Sequence, residues 1–218
     1  MKKIMFNDKY GLTRAVLEGR KTMTRRAVKF PTKFDWGFYR YPLKPVTQEG
    51  YRAFVELLDE DEFSFEPERY ASSQYAVGEI VAIAQSYKDV IEEWSKGCGR
   101  GFSFGLEDRA GMSNKMFVKP EYMPHHIQIT SIRVQNLQDI SNEDCLKEGV
   151  VKACIGYYVP GLKANWEKES HIEAENGQTW KLFPTPQEAF AALIDKVSGK
   201  GTWEGNPLVW VYEFKLID

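Results

Sequence analysis

Residues 208–216, LVWVYEFKL, constrain the fold more than any other stretch of this chain. Leu208, Trp210, Tyr212, Phe214 and Leu216 fall on one face of an extended segment, and Val209, Val211, Glu213 and Lys215 fall on the other. Alternation with a period of two, carried by aromatic and β-branched residues, predicts a strand. A second strand is predicted in HIQITSIRVQNL (126–137), whose two faces are both partly apolar. A third lies in EIVAIAQSY after Gly78, and Thr22–Val28 reads as a strand or an extended loop.

Helices are spaced irregularly between these strands. Asn7 or Asp8 can cap a first helix over 9–18, with Leu12, Ala15 and Val16 on one stripe and Gly19 just beyond its end. Ser141 and Asp144 predict a short helix over 142–148 that carries Glu148 at its C-terminal end. Thr185-Pro186-Gln187-Glu188 opens a longer one, in which Phe190, Leu193, Ile194 and Val197 follow the helical period up to Gly199. The order lacks regular βαβ alternation, which argues against Rossmann and TIM architectures. The expected class is α+β: a small mixed sheet or partly open barrel with helices packed on it.

The chain has 218 residues, 43% of them apolar and 28% charged, with 30 aromatics. Length alone allows one or two domains and a sizeable core. The cysteines, Cys98, Cys145 and Cys154, are odd in number and lack CxxC spacing, which fits free or buried thiols in a reducing cytoplasm. The start has too short an apolar run for a secretory signal, and no run reaches the roughly 18–20 residues of a membrane span, so no membrane partner is expected. His125 and His126 are neighbours that would point to opposite faces of a strand, and His171 is distant, so no metal site is expected. The glycine-rich run 97–111 lacks a phosphate-loop pattern and reads as a mobile loop; no cofactor is expected.

The net charge of −2 conceals two segments. Residues 20–29 hold Arg20, Lys21, Arg25, Arg26 and Lys29 and no acid, whereas residues 56–68 hold seven acids and no base. Partner arguments therefore belong to the segments. If Gly19–Arg26 is extended, Thr22, Thr24 and Arg26 share one face, and Lys21, Met23 and Arg25 share the other. One reading is a solvated basic strand beside a helix. The other is an anion or nucleic-acid groove in which cations meet phosphates and threonine hydroxyls meet a base or sugar. The cluster WGFYRY (36–41) could stack bases, or simply pack its segment against the rest of the fold.

FNDKYGLTRAVLEGRKTMTRR, VGEIVAIAQSY, HIQITSIRVQNLQDISNEDCLKEGV and NPLVWVYEF together resemble the ordered blocks of the ASCH (activating signal cointegrator homology) family. The blocks cover about 88 residues, and GRKTMTRR is the most specific of them. The resemblance implies a PUA-like β-barrel, one domain over 1–218 with insertions at 30–75, 88–114 and 151–184, and a groove suited to RNA or a modified nucleoside. One branch of the family removes the acetyl group of N4-acetylcytidine. The matching residues here are Lys21, Thr24 and Glu148, with Arg20, Thr22, Arg25 and Arg26 beside them as ligand contacts. A threonine hydroxyl needs a base to take its proton, and a lysine serves only when burial or a neighbouring cation depresses its pKa. Glu148 would pass a proton to the leaving amine. The family pattern has one apolar residue before the final arginine, where this chain has Arg25 and then Arg26. A third reading is an accessory or interaction protein that keeps the barrel without the chemistry.

Overall fold

A computed structural model describes residues 1–29, 44–49, 52–56, 70–98, 110–165, 167–173 and 177–217. The class is α+β. In chain order the elements are β1 (Lys2–Ile4), α1 (Leu12–Leu17), β2 (Met23–Ala27), β3 (Lys44–Glu49), β4 (Arg52–Glu56), β5 (Tyr70–Ser72), β6 (Ile80–Ile83) and α2 (Tyr87–Cys98). Then follow β7 (His126–Asn136), α3 (Asn142–Lys147), β8 (Val151–Ala153), β9 (Gly156–Tyr158), β10 (His171–Glu173), β11 (Thr179–Lys181), α4 (Pro186–Val197) and β12 (Leu208–Leu216).

The main sheet has five strands in the order β1-β6-β7-β12-β2. The β1–β6 pair is parallel and the others are antiparallel. The predicted terminal strand, β12, lies between β7 and β2, and both of its faces are covered, which explains why both are largely apolar. Its register opposes Tyr212 to Ile132 and Thr24, and Val211 to Arg133 and Arg25. Phe6 and Tyr75 pack on the Tyr212 face, with ring centroids 5.7 Å from Phe214 and 5.2 Å from Tyr212 respectively. On the Val211 face lie α3 and α4, where Phe190 meets Arg25 and Trp203. Tyr212 and Phe190 are fully buried, and each such side chain contributes roughly 1.5–3 kcal/mol through removal from water.

Among the described residues β1 and β2 are not paired with each other, so the sheet stays open at that seam. The two edges nevertheless face each other. Arg26 Nη2 on β2 donates to the Met5 carbonyl just after β1, at 2.5 Å.

Several sequence expectations change in detail. Gly11, at φ 63°, divides the first helical stretch into a 3-10 turn (Asp8–Tyr10) and α1. The strand expected through Tyr87 stops at Ile83, and α2 begins at Tyr87 and runs into the stretch read as an insertion. Its signal was available: Ser86 and Asp89 form a reciprocal cap, each side chain accepting the other's backbone N–H. The stretch 151–184 holds two small hairpins, β8–β9 and β10–β11. WGFYRY, the acidic run from Leu57 onward and most of the glycine-rich loop lie outside the described residues. Among the described residues no helix is long and apolar enough to cross a membrane.

Candidate functional site

Two adjoining features arise from the β1–β2 seam and the start of β2. The first is a buried ion network. Lys21 follows the turn at Gly19, whose φ of 71° ends α1 abruptly, and its backbone N–H bonds the Ala15 carbonyl. The chain therefore turns inward under α3. Lys21 Nζ donates to Glu148 Oε2 at 2.6 Å, to the Glu148 carbonyl at 2.8 Å and to the Met23 carbonyl at 2.7 Å. These three bonds use every hydrogen of the ammonium group. Glu148 caps the C-terminal end of α3, and its other carboxylate oxygen accepts from Arg25 Nη1 at 3.0 Å.

The network continues along α3. Arg25 Nη2 donates to Asp144 Oδ2 at 3.0 Å, Arg133 Nη2 reaches the same oxygen at 2.7 Å, and Arg133 Nη1 donates to Glu213. Lys21, Arg25 and Glu148 are 2%, 7% and 4% exposed. Burial is the largest influence on Lys21 and holds its pKa below the ordinary lysine value, against the opposing pull of Glu148; Arg26 and Arg25 add to the depression. Arg25 Nε is buried without a hydrogen-bond partner.

Thr24 lies on the other face of β2. Strand alternation puts Met23 and Arg25 toward α3, and Thr24 and Arg26 toward Tyr212 and Trp210. Thr24 is 5% exposed, and its hydroxyl takes no part in the Lys21–Glu148 bonds. The ammonium lies one peptide unit away, on the carbonyl that joins Met23 to Thr24. The structure thus brings Lys21 and Glu148 into contact across 127 positions of sequence and leaves Thr24 outside that set of bonds.

The second feature is a cleft of about 740 Å³ between the edge strands, lined by Lys2, Lys3, Arg26, Lys29, Tyr75, Trp210 and Tyr212 among others. Among the described residues no carboxylate lines it. Lys2 pairs with Glu79 just outside. Lys3 donates to the Met116 and Val118 carbonyls, and neither Arg26 nor Lys29 has a carboxylate partner among the described residues. The aromatic rings form the floor and are nearly closed to solvent. Tyr75 donates to the Lys3 carbonyl, and burial pushes its hydroxyl up to about 12. Tyr212 is raised by the same cause, its hydroxyl lying against Ser73 and the Gln74 N–H.

The basic block of the sequence is therefore divided. Arg26 and Lys29 reach the cleft. Arg20 pairs with Glu18, whose carboxyl it holds below the usual range. Arg25 lies inside the network rather than at a surface where a ligand could meet it. Thr22 is half-buried at the entry to β2. Sequence reasoning missed Asp144, Arg133 and the contributions of Lys2 and Lys3. Asp144 had a signal, since it stands four residues before Glu148 on one helix face. Arg133, a lone cation in an apolar strand, was another. No group of three His, Cys, Asp or Glu able to hold a metal occurs among the described residues.

Cys145 is buried beside this network, and burial pushes its thiol up to about 12 from an ordinary 9.0. An acid whose folded pKa is raised keeps a proton that the unfolded chain releases. Its contribution is fully present below pH 9 and is lost as pH rises toward 12. The stability difference between the native protein and Cys145→Ala should narrow over that window in urea titrations. A difference that stays constant contradicts the assignment.

No family model, no curated protein and no solved structure matches this chain.

Proposed function

We propose that the chain is an ASCH-type domain, its open sheet a variant of the PUA-like barrel, and that it binds RNA in the cleft between β1 and β2. The observation that carries this reading is the convergence of Lys3, Arg26 and Lys29, without carboxylate partners among the described residues, over an aromatic floor in one cleft. The volume suits one or two nucleotides. The rings are nearly closed to solvent, so the phosphates supply most of the attraction, and a phosphorylated strand is favoured over a bare nucleoside. The test is fluorescence anisotropy of a labelled oligouridylate of about 16 nucleotides, the upper site size of a small barrel domain. Affinity falls steeply with salt as phosphate counterions are released. Absent binding, or affinity indifferent to salt, overturns the reading.

One observation favours a second reading, an amidohydrolase acting on N4-acetylcytidine-like substrates: the contact of Lys21 with Glu148 beside the Met23–Thr24 peptide. In this geometry all three residues are closed to solvent, so a substrate must first displace part of the fold. Hydrolysis of N4-acetylcytidine by the native chain, abolished in Thr24→Ala, would support it. No turnover, or equal turnover by both proteins, rejects it.

A further inference from the structure

A second cationic cleft is lined mostly by residues outside the family blocks, with Lys9 and Tyr10 contributed by the first block. It has a volume of about 560 Å³. Lys9 comes from the 3-10 turn after β1, Lys163 and Lys181 from the stretch with the two hairpins, and Lys196 from α4. Glu169 is the one acid in its lining among the described residues and is already bonded to Lys181 at 2.5 Å. Lys9, Lys163 and Lys196 are exposed and have no carboxylate partner among the described residues. Two aromatic rings hold the walls: Lys9 Nζ stands 5.6 Å from the Tyr10 centroid and Lys181 Nζ 5.4 Å from that of Phe183.

We propose that this cleft is a second phosphate-binding site, which extends the RNA footprint beyond the β1–β2 seam; the proposal rests on the RNA-binding reading above. Its position carries the argument. Met5 lines the first cleft and Lys9 the second. Four residues of chain separate their Cα atoms by at most about 14 Å. A strand carrying one phosphate per about 3.4 Å of axis covers that distance with about four nucleotides. Like-charged clefts this close attract one polyanion far better than two separate small ligands. The inserted stretch 151–184 thus acquires a role: its residues 161–183 supply one wall of the added site.

The experiment compares three proteins on the same oligouridylate over a salt series: the native chain, Lys9→Gln/Lys163→Gln/Lys196→Gln, and Arg26→Gln/Lys29→Gln. Each single-strand phosphate contact contributes about 0.7 to the slope of log affinity against log salt, so the triple variant should lose about 2 from the slope. Its substituted residues are exposed, and an unchanged thermal melt shows that the fold is intact. If only the Arg26/Lys29 variant lowers the slope, the second site is refuted and the RNA reading stands. If only the triple variant lowers it, the second site stands and the β1–β2 cleft is refuted as the RNA site. No binding by the native chain, or equal slopes in all three, overturns both.

Discussion

Glu148→Ala should lower the stability of the folded chain by about 3–5 kcal/mol, the range for removing one partner of a buried ion pair. For a chain of this length that corresponds to a fall in melting temperature on the order of 10 °C. The reason is what the substitution leaves behind. Lys21 and Arg25 both direct donors at this carboxylate from almost fully enclosed positions. Without it, Lys21 keeps two carbonyls but no anion, and Arg25 keeps Asp144 as its one carboxylate among the described residues, which it already shares with Arg133. The triple substitution Lys21→Met/Arg25→Met/Glu148→Leu should behave differently. It removes all three charges and fills the space with apolar atoms, and whole-group replacements of this kind are often neutral or stabilising. Asp144 keeps Arg133 as its partner. Urea denaturation of the two proteins checks both statements. A cost below about 1 kcal/mol for Glu148→Ala, within the range of an exposed pair, would contradict the burial of the network.

Gly161→Ala is the second large effect. Gly161 has φ 84°, and an alanine Cβ there would overlap the Lys9 carbonyl oxygen. Backbone meets backbone at this point, so no rotamer change relieves the overlap. The left-handed conformation alone costs about 1–3 kcal/mol, and the overlap adds to it by forcing the hairpin stretch off the turn at Asp8–Tyr10. Gly177 supplies the control: its φ is 73° and no described residue lies near an added Cβ. Gly177→Ala should therefore show the conformational cost only. Equal denaturation midpoints for the two variants would mean that residue 161 is not packed against the turn.

The strands were the most legible part of the fold. β12 was visible because alternating aromatic and β-branched residues fill both faces, and both faces are covered. β1 was not visible, since three residues carry no period. It is held as a parallel edge by β6, a partner almost 80 residues away that only the tertiary structure supplies. α2 was missed because the glycines that follow it dominated the reading of 88–114, although its capping pair was present. In the site, the resemblance pointed to Lys21 and Glu148, which do meet. Local spacing could not show that Arg25 would turn inward to share Glu148, because that depends on where α3 packs. The cleft drew on Lys2, Lys3 and Tyr75, whose role follows from the approach of two sheet edges distant in sequence.

The proposed binding of RNA in the β1–β2 cleft, through cations that have no carboxylate partner among the described residues, is tested most directly by the salt slope of oligouridylate binding by the native chain and by Arg26→Gln/Lys29→Gln. Loss of two phosphate contacts should reduce the slope by about 1.4 and weaken binding at low salt, with the fold retained. An identical slope and affinity in the two proteins would contradict the claim.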